Sequence, residues 1–301
     1  MDKTLTRTVF FHIMAALFFG VLLFVGTFDD LRLAEALYNP MQPAATAVIT
    51  VGLYPFFGAV VLFLGALYER AIHSGNSKPV KVLLCILCAD LALDSGFAGA
   101  AALCSVDCLG ELFPALNMNY PVILVMSVVL VYPLFPLGYI MARKSGDKQL
   151  VRQLIGLLIM ILIAFVTMEV VKQIFCRPRY RIVVRGLEGI GFIPWYTRFE
   201  GAGDFIAAYG LENTDLRSFP SGHSILSISC IYILPALSLL FPKLKGKDNV
   251  LMAAGLLFGM LVMFTRMVLG AHYLSDVSAG GLIGVLLSLA SLFVQQRLSG
   301  E

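Results

Sequence analysis

A histidine stands at the start of a long apolar run, in the segment FPSGHS at residues 219–224. Pro220 suits the first turn of a helix, because its missing N–H would be unpaired there anyway. Ser221 and Gly222 would then present backbone N–H groups at the positive end of the helix, an arrangement that binds phosphate. His223 adds a group that gains or loses a proton near neutral pH. The segment predicts an anion site with a proton donor, and the alternative is an ordinary helix cap with a tolerated histidine.

A second segment, TRMVLGAHYLSDV at residues 265–277, holds an arginine, a histidine and an aspartate. His272 and Asp276 are four residues apart and would lie on one face of a helix. A carboxylate that binds one imidazole nitrogen fixes the tautomer and leaves the other nitrogen basic, which makes a histidine nucleophilic. Arg266 would end the preceding helix on the same side. The pair alone is weak evidence, since structural His–Asp pairs are common.

A third segment, VKQIFCRPRYR at residues 171–181, concentrates positive charge. Its four basic residues are Lys172, Arg177, Arg179 and Arg181. Lys172 and Arg179 are seven residues apart, about two helical turns, so they share a face if the helix continues. The cluster predicts a clamp for an oxyanion. The alternative is snorkelling of basic side chains at a membrane interface.

The elements that must position these segments are membrane helices. The chain has 301 residues, of which 59% are hydrophobic and 14% charged, with a mean hydropathy of +0.87. A soluble domain of this size cannot keep that much apolar surface from water. A membrane span needs about 20 apolar residues. We therefore predict an all-α, polytopic transmembrane bundle with about eight spans, at roughly 9–28, 46–68, 80–104, 121–142, 152–175, 222–241, 249–269 and 275–295.

The distribution of lysine and arginine predicts the orientation in the membrane. If both termini are cytoplasmic, the inside segments hold 13 of the 22 basic residues, as the positive-inside rule requires. Seven of the other nine lie between residues 172 and 217, around a loop of about 45 residues. Clustered positive charge on the outer face favours an anionic ligand. We expect a multi-pass protein of the plasma membrane with its active site on the extracytoplasmic side.

The three segments together resemble the type-2 phosphatidic acid phosphatase superfamily, which includes membrane lipid phosphatases, glucose-6-phosphatase and soluble vanadium haloperoxidases. The resemblance covers residues 172–276. It departs from the usual pattern at Tyr180, where proline is usual, and at Thr265, where serine is usual. The matching patterns are Lys172-x6-Arg179, Pro220-Ser221-Gly222-His223 and Arg266-x5-His272-x3-Asp276.

The resemblance implies a division of the chain. The family core has six spans, so residues 1–79 would form two additional helices. Residues 80–301 would form the phosphatase core, with an extracytoplasmic loop at 176–221.

The resemblance also implies catalytic roles. His272 would attack phosphorus to give a phosphohistidine, and Asp276 would orient it. His223 would protonate the leaving oxygen and then activate water. The phosphate-binding residues would be Lys172, Arg179, Ser221, Gly222 and Arg266.

The implied reaction uses no cofactor and no metal. The expected substrate is a lipid phosphate or diphosphate, such as polyprenyl diphosphate, phosphatidic acid or phosphatidylglycerol phosphate. The expected partners are this substrate and membrane lipids, and no basic patch with interleaved aromatics indicates nucleic acid. The oligomeric state is left open.

Two other functions remain open from the sequence. A lipid-linked phosphotransferase would use the same histidine chemistry with another acceptor in place of water. A transporter would use Asp90 and Asp94, which fall within the third run, since acids inside a membrane often mark a functional site. We expect these two acids to form structural hydrogen bonds within the bundle, with a polar cavity as the alternative. The spacing of Cys104 and Cys108 permits a disulfide without proving one.

Overall fold

The computed structural model describes residues 3–106, 108–146 and 149–299, and in these ranges the protein is all-helical apart from one isolated bridge. Lys148, which the sequence places in a cytoplasmic loop, lies outside the described residues. The α-helices are α1 Lys3–Leu37, α2 Pro43–Val51, α3 Tyr54–Ile72, α4 Lys78–Leu103, α5 Leu109–Leu112, α6 Tyr120–Met126, α7 Leu134–Lys144, α8 Leu150–Ile174, α9 Tyr180–Val183, α10 Ala202–Tyr209, α11 Gly222–Ile228, α12 Cys230–Ala236, α13 Asp248–Val268 and α14 Leu274–Ser299.

The predicted membrane spans are confirmed by length and composition. Eight helices or helix pairs among the described residues are long and apolar enough to cross a bilayer. They are Leu5–Leu37, Pro43–Ile72, Lys78–Leu103, Tyr120–Lys144, Leu150–Ile174, Gly222–Leu239, Asp248–Val268 and Leu274–Leu298. The largest difference from the sequence lies in α1, which continues well past the apolar run and carries Asp29 and Asp30 on its last turns. Leucine, alanine and glutamate favour helix in this extension.

One compact unit contains all the predicted site residues. It comprises residues 1–49, 163–228 and 257–289. The long loop at residues 176–221 belongs to this unit, and it packs around an apolar core of its own. That core consists of Ile182, Ile190, Phe199, Leu211 and Leu216.

Helix α1 packs closely against the start of α14 in the same unit. A Cβ atom added at Gly26 would lie 2.6 Å from the backbone nitrogen of Ser275. One at Gly281 would lie 2.9 Å from the ring of Phe19. Because both glycines lack a side chain, the two helices approach closely enough to place the end of α1 at the first turn of α14.

The second compact unit comprises residues 50–162, 229–256 and 290–301. Helices α3 and α7 pack closely in this unit, since a Cβ atom at Gly138 would lie 1.9 Å from the carbonyl oxygen of Leu62. Cys104 and Cys108 also lie in this unit, and among the described residues no disulfide joins them.

The expected hydrogen bonding of Asp90 and Asp94 within the bundle is wrong. Both side chains are exposed on α4, and neither makes a hydrogen bond or ion pair with the described residues. The inward face of α4 is instead formed by small residues, including Ala92 and Gly96. Two residues along a helix correspond to about 200°, so Asp90 and Asp94 lie opposite that face.

Candidate active site

The third and first segments are joined through their backbones. Arg177 and Arg217 form an isolated parallel bridge. The Arg177 N–H donates to the Leu216 carbonyl at 2.8 Å, and the Ser218 N–H donates to the Arg177 carbonyl at 2.9 Å. The basic segment is thereby fixed beside the residues that lead into FPSGHS.

The second segment reverses direction at Gly270, just after α13. Gly270 has a φ of +64°, which favours glycine, and a Cβ atom there would lie 2.6 Å from the Tyr38 ring. The N–H groups of Ala271 and His272 then donate to the Arg266 carbonyl at 3.0 and 3.3 Å. This tight turn holds His272 directly against the end of the helix that carries Arg266.

The imidazole of His272 is oriented by a backbone carbonyl. Its Nδ1 atom lies 2.7 Å from the Ser218 carbonyl oxygen and 3.8 Å from the nearest carboxylate oxygen of Asp276. Since a carbonyl oxygen only accepts, Nδ1 carries the proton and Nε2 carries the lone pair.

At 3.8 Å, the distance from Nδ1 to the nearest carboxylate oxygen of Asp276 is longer than a hydrogen bond, because other donors compete for that oxygen. The same oxygen, Oδ2, accepts from the Ser218 hydroxyl at 2.5 Å and from the Tyr273 N–H at 2.8 Å. Asp276 supports His272 indirectly, by fixing Ser218.

The reactive nitrogen of His272 is buried and has no hydrogen-bond partner among the described residues. Only 1% of the residue is exposed. Burial lowers the pKa of His272, and the charges of Arg266 and Arg179 lower it further, so that the pKa is about 3 despite the opposing effect of Asp276. The imidazole is neutral at physiological pH, as an attacking nitrogen must be.

Arg177 binds two carboxylates at the centre of the site. One terminal nitrogen donates to Asp276 Oδ1 at 2.5 Å, and the other donates to Asp30 Oδ2 at 2.8 Å. Its Nε donates to the Ile193 carbonyl at 2.9 Å, and the guanidinium lies 4.0 Å from the centre of the Tyr273 ring. Burial opposes the charge, but the two aspartates raise the pKa of Arg177.

These contacts correct the prediction that all four cations of residues 171–181 form the clamp. Arg177 is committed to Asp30 and Asp276. Arg181 is committed to Asp215, at 3.1 Å. The remaining two, Lys172 and Arg179, are those of the family pattern.

Lys172 lies at the start of α11. A Cβ atom at Gly222 would be 3.0 Å from the Lys172 Nζ and 2.5 Å from the Met168 sulfur. The absence of a side chain at residue 222 thus leaves room for the ammonium group beside the helix N-terminus.

The expectation that the Ser221 N–H faces the ligand is wrong. This N–H donates to the Asp276 carbonyl at 3.0 Å. The Ser221 hydroxyl caps α11 by accepting from the Ser224 N–H at 3.3 Å. The bond to Asp276 joins the first segment to the second, and the bond from Ser224 caps α11, so Ser221 has a structural role through both groups.

The other predicted residues lie in the same unit. Arg179 and Arg266 are buried, at 2% and 0% exposure, and both lower the pKa of His272 through their charge. His223 is half-buried and follows Gly222 in the first turn of α11.

Three residues with contacts in this centre were not singled out from the sequence: Asp30, Ser218 and Ser275. Trp195 donates from its indole to the Thr27 hydroxyl at 3.0 Å and stacks on Phe219 with ring centres 5.2 Å apart. These contacts place the only tryptophan beside FPSGHS. The double acid at residues 29–30, at the end of an apolar run, was the one available signal for Asp30.

Comparison with known proteins gave one match, to a family model. Within the described residues, no group of three or more His, Cys, Asp or Glu side chains is arranged to hold a metal ion. Searches of curated proteins and of solved structures gave no match. Residues 153–299 match the family model of the PAP2 superfamily, and this range includes all three segments. The predicted family is confirmed for this range: residues 153–299, just under half of the chain, belong to the PAP2 superfamily.

Proposed function

We propose that the protein is an integral-membrane phosphatase that hydrolyses a lipid phosphate or diphosphate through a phosphohistidine on His272. The observation that carries the proposal is the buried Nε2 atom of His272, which has no partner among the described residues. Leaving a buried polar atom unpaired costs about 1–3 kcal/mol, so such an atom calls for an explanation. Attack of this Nε2 atom on a substrate phosphorus atom bound beside it would explain why it has no partner.

In the first step, the Nε2 lone pair forms a bond to phosphorus. The bond from phosphorus to the leaving oxygen breaks, and its electron pair goes to that oxygen. Protonated His223 gives it a proton as general acid. The positive charge that develops on His272 is stabilised because Nδ1–H donates to the Ser218 carbonyl, beside the Asp276 carboxylate.

In the second step, His223 takes a proton from water as the water oxygen attacks phosphorus. The P–N bond breaks, its electron pair returns to Nε2, and inorganic phosphate is released. With a diphosphate, the lipid monophosphate leaves in the first step. Lys172, Arg179 and Arg266 hold the non-bridging oxygens in both steps, so that their charge is already in place when the transition state forms.

The position of the site along the spans supports a lipid substrate. The site residues lie at or beyond the ends of four candidate spans, which end at Ile174 and Val268 and begin at Gly222 and Leu274. The end of a membrane span lies at the level of the lipid headgroups. The distribution of basic residues favours the extracytoplasmic side, with both termini cytoplasmic.

The test is an assay of the purified protein in detergent, with EDTA present, against polyprenyl diphosphate, phosphatidic acid and phosphatidylglycerol phosphate. We expect inorganic phosphate from at least one of them, and an acid-labile, alkali-stable phosphoprotein after rapid quenching. His272→Ala abolishes both signals. The matched control is His73→Asn, because His73 lies in the second unit and contacts the Glu69 carbonyl at 3.0 Å. Turnover that requires added divalent metal, or that survives His272→Ala, contradicts the proposal.

The same assay distinguishes hydrolysis from phosphotransfer. A phosphatase releases inorganic phosphate at the same rate with or without an alcohol acceptor. A lipid-linked phosphotransferase yields a new phosphoester that appears only when a lipid or sugar acceptor is added.

A further inference from the structure

We propose that Asp30, on the first helix, is a positioning residue for the histidine chemistry of this site. Asp30 lies outside the range 153–299 that matches the family, so the family pattern assigns it no role. The inference rests on the proposed function, because it concerns the rate at which His272 reacts.

Asp30 is buried and uses both carboxylate oxygens. Oδ1 accepts from the Ser275 N–H at 2.8 Å. Oδ2 accepts from Arg177 at 2.8 Å and also from the Ser275 hydroxyl. Only 3% of Asp30 is exposed, and charge-assisted bonds are strong in such surroundings.

These bonds continue to the reactive imidazole. The guanidinium that Asp30 holds also donates to Asp276 at 2.5 Å. Asp276 accepts from the hydroxyl of Ser218, whose carbonyl in turn holds the imidazole. Each link is a hydrogen bond between buried groups. A change at Asp30 therefore alters where Arg177 and Asp276 lie, without touching the phosphate clamp.

The alternative is that Asp30 has only a structural role, in which it holds α1 against α14. A purely structural role would reduce the number of folded molecules and leave the reactivity of each one unchanged. A positioning role slows P–N bond formation in molecules that still fold and still bind phosphate analogues.

The experiment compares Asp30→Asn with Asp29→Asn in the full-length purified protein. Asp29 is the neighbouring residue of the same type, its side chain is 45% exposed, and its ion pair with Arg32 is long, at 3.9 Å. In Asp30→Asn, an amide N–H group competes with the donors of Arg177 and Ser275. Rapid-quench kinetics would measure phosphohistidine formation, and orthovanadate titration would count the molecules whose phosphate site is intact.

We expect Asp30→Asn to slow phosphohistidine formation by about 10–100-fold per vanadate-binding molecule, by analogy with the loss seen when a group that orients a metal-binding histidine is removed. KM and the affinity for orthovanadate should stay within about threefold of wild type, since the clamp is untouched. Asp29→Asn should match wild type in every measurement.

Ser275→Ala is the second variant, because it removes a neutral hydroxyl and leaves all charges in place. We expect it to slow the same step by about 3–10-fold, because it removes the two buried hydrogen bonds of this hydroxyl, one donated to Asp30 and one accepted from Arg177. If Asp30→Asn does not fold, the rate of phosphohistidine formation in Ser275→Ala tests the proposal instead.

The inference is overturned if the variants that fold react at the Asp29→Asn rate per vanadate-binding molecule. It is also overturned if Asp30→Asn only reduces the number of such molecules. Absence of turnover by the wild type on every lipid phosphate would instead contradict the proposed function.

Discussion

The Ser218 carbonyl oxygen lies 2.7 Å from Nδ1 of His272, closer by 1.1 Å than any carboxylate oxygen of Asp276, which is 3.8 Å away. A backbone group therefore sets the imidazole tautomer. Asp276 carries a different task, since it binds the Ser218 hydroxyl and the Arg177 guanidinium. Tautomer and charge are thus controlled by separate groups.

This separation predicts a moderate effect of Asp276→Asn. In a triad whose aspartate fixes the tautomer, the same change lowers kcat by about 10⁴-fold. Here we expect a loss of about 10²-fold in kcat, because the Ser218 carbonyl still holds the proton on Nδ1. Phosphate release measures it, with Asp248→Asn, an exposed acid at the start of α13, as the control. A loss of four orders of magnitude would mean that Asp276 binds His272 directly.

The lowered pKa of His272 predicts a pH-dependent contribution to stability. The folded protein keeps this histidine neutral down to a pH of about 3, whereas the unfolded chain protonates it near its ordinary value of 6.5. Between these values the unfolded state binds the additional proton, so this contribution to stability is lost as the pH falls. The slope is at most about 1.4 kcal/mol per pH unit.

Thermal unfolding between pH 7 and pH 4 tests this expectation. The wild type should lose stability more steeply on acidification than His272→Asn, which has no titrating group at this position. Parallel curves for the two proteins would show that His272 titrates normally in the folded state.

Gly222→Ala should impair the phosphate site. Its Cβ would meet the Lys172 Nζ at 3.0 Å and the Met168 sulfur at 2.5 Å, so the ammonium group must move. Misplacement of a binding group by about 1 Å can cost up to 10²-fold, and we expect kcat/KM to fall by about 10–100-fold. Gly203→Ala is the matched control, because a Cβ there meets nothing within 4 Å. Equal kcat/KM for both variants would show that Lys172 does not bind the phosphate.

Asp90 and Asp94 should be dispensable for turnover. They lie on the exposed side of α4, in the second unit, and make no hydrogen bond or ion pair with the described residues. An ionised acid within a bilayer costs about 2.5–3.5 kcal/mol on insertion scales. The double variant Asp90→Asn/Asp94→Asn should keep wild-type phosphate release in liposomes and unfold at an equal or higher temperature. A loss of turnover would assign these acids a role in the reaction.

The spans and the family could be predicted from the sequence because both depend on local information. Bilayer thickness dictates the length of an apolar run, and all eight predicted runs correspond to candidate spans. The motifs were equally local, and the range 153–299 that matches the family contains each of them. The predicted division at residue 79 and the predicted catalytic roles stay predictions.

The hydrogen bonds and ion pairs within the site could not be predicted, because they join residues that are distant in the sequence and involve backbone groups. Asp30 and Arg177 are 147 positions apart, and no spacing rule relates them. Any residue has a carbonyl group, so the identity of Ser218 gives no sign that its oxygen holds His272. Arg177 was expected to belong to the oxyanion clamp, but it is buried and binds two carboxylates instead.

The bond between Asp30 and Arg177 has a consequence for biosynthesis. During translation the ribosome makes residue 30 long before residue 177, so α1 carries an acid without its cation while four further spans are produced. The nascent chain must keep that carboxylate hydrated or protonated until the basic segment emerges. Assembly of the catalytic centre is thus among the last events of membrane insertion, and a polypeptide interrupted before residue 177 would retain an uncompensated acid in its first helix.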